Sequence, residues 1–131
     1  MSAHACAVLV ADDDDELRDT LVELLRLEGF HVLEAGNGQE AIEQVFEHRP
    51  HVLLLDHRMP LMTGAEVCRR LREKGASIHI IFITAAREGA AMAQELDVFH
   101  FLPKPFDFDA CVTAVSAACS AAARRTSPAE G

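Results

Sequence analysis

Residues 51–60 read HVLLLDHRMP, and the fold can be worked out from this stretch. Val52, Leu53, Leu54 and Leu55 follow one another without a polar break, the pattern of a strand buried on both faces of a parallel sheet. The run stops at a carboxylate, and Pro60 prevents the backbone from continuing regularly. Open α/β sheets take their ligands outside the carboxyl ends of central strands, which makes Asp56 the candidate reactive residue.

Upstream, residues 6–11 (CAVLVA) form a second short apolar run and predict another buried strand. Five acids follow at 12–16. Leu17, Leu21, Leu24 and Leu25 then recur on one helical face, and acids in the first turn suit the helix dipole. That helix should stop at Gly29. Residues 31–34 predict a short strand. Asn37 with Glu40 resembles a capping box ahead of a helix carrying Ala41, Ile42, Val45 and Phe46, closed by Pro50.

Downstream, Val67, Cys68 and Leu71 predict a helix over 64–74 stopped by Gly75. Residues 78–83 (IHIIFI) predict a strand and 90–96 a weakly patterned helix. Residues 98–102 (VFHFL) predict a strand ending at Pro103-Lys104-Pro105. Asp107 can cap a last helix reaching about 125. Over 110–123 that helix contains only Ala, Cys, Val, Thr and Ser. With Val112, Val115 and Cys119 toward the sheet, Thr113, Ala114, Ala117 and Ala121 would form an uncharged outward face suited to a docking helix or a second copy.

At 131 residues the chain is expected to be one domain over 1–125, with a disordered tail over 126–131. A formal net charge of −9 argues against nucleic acid or an anionic membrane as a direct partner. No run approaches the roughly 18–20 apolar residues of a membrane span, and the N-terminus lacks a secretion pattern, so a cytoplasmic protein is expected. Cys6, Cys68, Cys111 and Cys119 show no CxxC pairing and are expected to be reduced thiols. The histidines, His57 among them, are expected to be structural or solvated.

Strands alternating with helices imply a doubly wound parallel sheet. Chain order alone does not fix the strand order; the flavodoxin-like order 2-1-3-4-5 is the expected one, and it would place a crevice between the first and third strands. Asp12 and Asp13 follow the first strand, Asp56 ends the third, Thr84 the fourth and Lys104 the fifth. Parallel strands bring these ends to one edge. Carboxylates held together repel unless a cation or proton lies among them, and Mg²⁺ suits one or two carboxylates plus phosphate oxygens. A carboxylate can act as nucleophile and form an acyl phosphate, while a hydroxyl and an ammonium suit a transferred phosphoryl group. The pattern points to phosphoryl transfer onto Asp56.

The segments at 7–18, 51–72, 80–86 and 101–106 (AVLVADDDDELR, HVLLLDHRMPLMTGAEVCRRLR, IIFITAA, FLPKPF) together resemble the receiver domain of bacterial two-component response regulators. The resemblance implies that Asp56 is the phosphoacceptor, taking its phosphoryl group from a histidine kinase or histidine phosphotransfer protein. It implies that Asp12, Asp13, Asp56 and the Arg58 backbone carbonyl hold Mg²⁺ or Mn²⁺. Thr84 matches the switch hydroxyl, Lys104 its lysine, Phe101 the switch aromatic, and Lys104-Pro105 a bond that is commonly cis. Arg58 and Ala86 match positions that flank the attacking water and tune phosphoryl lifetime. Phosphorylation would remodel the surface of the fourth helix, fifth strand and fifth helix. That surface would act on a downstream protein or output domain, with a phosphorylation-linked homodimer as one form.

Two positions depart from the family's usual pattern. Phe101 lacks the hydroxyl of the tyrosine often found there, and Asp97 stands where glycine is frequent. Asp tolerates positive φ better than most residues. The alternatives are a pseudo-receiver that only binds partners and an aspartate-nucleophile phosphatase of the haloacid dehalogenase type. The phosphatase usually needs a second acid two residues after the nucleophile, where this chain has Arg58. A flavodoxin is disfavoured because no Trp or Tyr is present to sandwich a flavin.

Overall fold

The structure, a computed structural model, describes residues 6–125 apart from the side chains at 86, 88, 124 and 125. The strands are β1 (Ala7–Ala11), β2 (His31–Ala35), β3 (Val52–Asp56), β4 (His79–Ala85) and β5 (His100–Lys104). Between and after them run α1 (Asp15–Leu27), α2 (Gly38–His48), α3 (Gly64–Glu73), α4 (Ala86–Leu96) and α5 (Phe108–Arg125). All strand pairs are parallel, in the order β2-β1-β3-β4-β5, the flavodoxin-like arrangement the sequence predicts. The expected tail over 126–131 lies outside the described residues. Among the described residues no helix is long and apolar enough to cross a membrane.

Alternation along the strands divides the core into two layers. Leu9, Leu53, Leu55, Ile80 and Phe82 face α2, α3 and α4, against Ile42, Val45, Val67, Leu71 and Leu96. Val8, Val10, Leu54, Ile81 and Ile83 face α1 and α5, against Leu21, Leu25, Cys111, Val115 and Ala118. Every residue of β3 is buried, as expected of a strand covered on both sides.

Several boundaries differ from expectation. β4 continues through Thr84 to Ala85, and α4 starts at Ala86 instead of 90, with no side chain capping it. The helix-forming residues 86–91 support the earlier start, and Gly89 in their midst hides the apolar pattern. β5 lies two residues later than expected because it is an edge strand, where the missing N–H of Pro103 is tolerated. Asn37 caps α2 as expected, but Glu40 accepts from the Gly36 N–H, so the capping box is only half formed. The complete box is at Thr63 and Glu66, ahead of α3. Asp97 does adopt φ +55°, and Lys104-Pro105 is cis.

Two expectations are overturned. Ala114 is buried, so it does not belong to the outward face of α5. The inward set is Cys111, Ala114, Val115, Ala118 and Ala122, and the exposed set includes Thr113, Ala117 and Ser120. Side-chain bulk does not phase a helix built of Ala, Cys and Ser. The cysteines are also not all reduced: Cys6 and Cys119 form a disulfide across 113 positions, with Cα atoms 5.9 Å apart. The pairing needs the start of β1 to lie beside the far half of α5, which spacing in the sequence does not reveal. Cys68 and Cys111 are free, and burial pushes both thiols up to about 12, out of the reactive range.

Candidate functional site

Among the described residues the buried polar or charged side chains are Asp12, Asp56 and Thr84, each 2% exposed. All three stand at the carboxyl edge of the sheet. Burial of polar groups without a structural partner is costly, so this concentration marks the edge as a site.

The Asp12 amide donates to Ala35 O at 3.1 Å, so the loop leaves β1 alongside the end of β2. Asp12 Oδ1 accepts from the Asp14 N–H at 2.9 Å, and Asp14 in turn caps α1 by accepting from Leu17 N–H. Arg18 clamps this loop. It donates to the Asp12 carbonyl at 2.7 Å and pairs with Glu34 at 3.2 Å and Asp15 at 2.8 Å. Burial lowers the Arg18 pKa, but Asp15 and Glu34 outweigh it and hold the guanidinium above its ordinary value.

β3 delivers Asp56, and α3 begins against its end. A Cβ on Gly64 would fall 2.6 Å from the Asp56 carbonyl oxygen and 2.8 Å from His57 Cα, so only glycine allows this approach. His57 plays the structural part expected of it. Its ring meets Phe82 at 5.5 Å and its Nδ1 accepts from the Ala65 N–H at 3.3 Å.

Lys104, at the end of β5, places Nζ 2.9 Å from Asp56 Oδ1. Burial raises the Asp56 pKa, with Asp13 adding to it, and the Lys104 hydrogen bond and charge only partly offset the rise. Burial lowers Lys104, but Asp56, Asp12 and Asp14 more than compensate and raise it. Asp12 is pushed up to about 6, chiefly by burial and also by Asp56 and Asp13, against the Asp14 N–H and Lys104.

Asp12, Asp13 and Asp56 each offer a carboxylate oxygen within 4.8 Å of the others. Asp12 Oδ2 is buried and has no hydrogen-bond partner among the described residues. An oxygen-only donor set with an orphaned buried carboxylate oxygen fits a hard divalent cation. Thr84 Oγ1 is likewise buried without a partner among the described residues. Beside these groups a cleft of about 440 Å³ is lined by Asp13, His57, Arg58, Met59, Pro60 and Thr63. Arg58 is exposed at its rim. Phe101 is half-buried, and its ring lies over Gly89 of α4. Ala86 opens α4, and its side chain lies outside the described residues.

The structure thus gathers Asp12, Asp13, Asp56 and Lys104 and sets Thr84 on the adjoining strand end. Arg18 and Gly64 escape sequence reading. An arginine six positions beyond Asp12 and a helix-start glycine carry no motif of their own.

A doubly wound five-stranded sheet with an acidic trio and a lysine at its carboxyl edge defines a receiver domain. The family model described as the response regulator receiver domain matches residues 8–116, and the chain belongs to that family, the receivers of two-component systems. The response regulator MprA of Mycobacterium sp. (strain KMS) is 37% identical over 126 residues, covering 95% of this chain and 53% of that protein. MprA of Mycobacterium leprae (strain TN) is 37% identical over 123 residues, covering 92% and 52%. The chain therefore spans about half the length of these curated relatives. Among solved structures, the response regulator TrrA from Thermotoga maritima, in complex with Mg²⁺-BeF, is 30% identical with a TM-score of 0.78, covering 86% of this chain and 98% of that one. The chemotaxis protein CheY4 of Vibrio cholerae is 25% identical with a TM-score of 0.79 and the same coverage.

Proposed function

We propose that the domain is a phosphorylation-activated switch with Asp56 as phosphoacceptor. The observation that carries this reading is the buried Asp56 carboxylate, paired with Lys104 at 2.9 Å and grouped with Asp12 and Asp13. An Asp56 oxygen bonds to phosphorus as the donor's P–N bond to histidine breaks, or the P–O bond of acetyl phosphate. Lys104 favours the ionised acceptor, against its burial, and then faces the phosphoryl oxygens, with the Thr84 hydroxyl as a further donor. Asp12, Asp13, Asp56 and the Arg58 carbonyl would hold Mg²⁺ or Mn²⁺, which when bound neutralises charge on carboxylate and phosphoryl oxygens. The domain is a phosphoacceptor that catalyses its own phosphorylation and dephosphorylation, not a turnover enzyme.

Its donor is a sensor histidine kinase or phosphotransfer protein in the cytoplasm. Its target is a downstream protein or output domain engaged through α4, β5 and α5. Phosphorylation shifts the population toward inward Thr84 and Phe101. Arg58 and Ala86 set phosphoryl lifetime, read as the half-life in Arg58→Ala and Ala86→Glu. Unchanged half-lives in both would remove them from this role.

Incubation with Mg²⁺ and acetyl phosphate, followed by intact mass, should add about 80 Da, one phosphoryl group. The adduct should be absent in Asp56→Asn. No adduct on the native chain would replace this reading with a phosphorylation-independent binding module. Steady turnover of a phosphomonoester would favour the phosphatase.

A further inference from the structure

Gly89 is buried on the inner side of α4. A Cβ built on it would overlap Cε1 and Cζ of the Phe101 ring and fall 2.5 Å from Thr84 Cγ2. The ring of Phe101 and the methyl of Thr84 therefore both press on the space that a side chain at 89 would fill. Glycine is the poorest non-proline helix former, and the neighbouring small positions 86, 90, 91 and 93 are all alanine. Within α4, glycine occurs only where these two side chains converge.

We infer that Gly89 is a positioning residue of the switch: its missing side chain is the seat of the Phe101 ring and the point where Thr84 and Phe101 bear jointly on α4. The inference rests on the switch reading of Thr84 and Phe101 given above, and adds the helix element to it. While Thr84 keeps its methyl on Gly89, ring and helix are held in one arrangement. When the Thr84 hydroxyl turns to a phosphoryl group on Asp56, the methyl contact is released, and the ring and α4 repack. Core packing of this kind has discrete arrangements and does not deform continuously. A methyl at 89 would evict the ring whatever the state of Thr84, separating phosphorylation from the response of α4.

Two measurements test this. In the first, protein carrying fluorophenylalanine is titrated with beryllofluoride and Mg²⁺ and followed by ¹⁹F NMR, with Phe101 assigned among the seven phenylalanines by its loss in Phe101→Leu. The native Phe101 signal should move on titration. In Gly89→Ala it should start at a new position and lose most of that movement, while acetyl phosphate still gives the Asp56 mass adduct. In the second, urea unfolding of Gly89→Ala is compared in the native and Phe101→Ala backgrounds. The loss of stability should be clearly smaller once the ring is gone.

An unchanged Phe101 response in Gly89→Ala, or an equal stability loss in both backgrounds, would overturn the seat. A native chain that forms no adduct at Asp56 would instead overturn the phosphorylation reading beneath it, and the mass measurement separates the two failures. Should Gly89→Ala fail to fold, recovery of folding in the Gly89→Ala/Phe101→Ala double variant supports the seat, and failure of both rejects it.

Discussion

Asp12 has its carboxyl pushed up from 3.8 to about 6, chiefly by burial, with Asp56 and Asp13 contributing. The folded state therefore binds its proton more tightly than the unfolded chain does. Between pH ~4 and ~6 this group removes stability as pH rises, up to about 3 kcal/mol in the absence of a divalent cation. Urea midpoints in chelator-treated buffer should show a fall across that window that is clearly shallower in Asp12→Asn. The same variant should lose Mg²⁺-dependent formation of the Asp56 adduct, since a neutral amide contributes no charge to the acidic trio. The side chains gathered at the candidate site were readable because each follows a strand, and strand ends in a parallel sheet share an edge. Gly64 and the seat proposed at Gly89 were not, because what matters at each is the space a side chain would fill. Arg18 was not, because its main target is the Asp12 backbone carbonyl.

Elements were readable where apolar pattern and punctuation agreed. α1, α3 and β3 fall close to their predicted bounds, with Gly29 and Gly75 at positive φ just beyond the two helices. α5 shows the opposite case. Its start at Asp107 is clear from the cap, which accepts from the Ala110 N–H at 2.8 Å, but its rotation about its own axis is not. Alanines look alike on both faces, and the phase is set by packing against β3, β4 and β5. Ala114→Glu would thrust a carboxylate into the layer with Val115 and Ala118, at a cost of about 3 kcal/mol or more. Ala117→Glu, on the exposed side, should stay within about 0.5 kcal/mol of native. Urea denaturation of the pair checks the assignment. Size-exclusion of Ala117→Glu with and without beryllofluoride then reads whether this face joins two copies.

At the scale of the whole molecule, the two covering layers followed from alternating strands and helices, whereas the sheet order did not follow from chain order alone and was expected from the flavodoxin-like pattern, which the structure has. The acidic edge followed with them. What stayed hidden was the covalent link between residues distant in sequence, because it depends on where β1 and α5 come to rest. Cys6–Cys119 makes the polypeptide between them a closed ring of 113 residue steps. Leu61, fully exposed and at φ +69° in the loop after β3, lies on that ring and is a natural place for chymotrypsin to cut. A single cut there would open the ring without dividing the molecule. The nicked protein should run as one species on a denaturing gel without reductant and as two fragments once reductant is added. Two fragments without reductant would mean that the ring had not been closed.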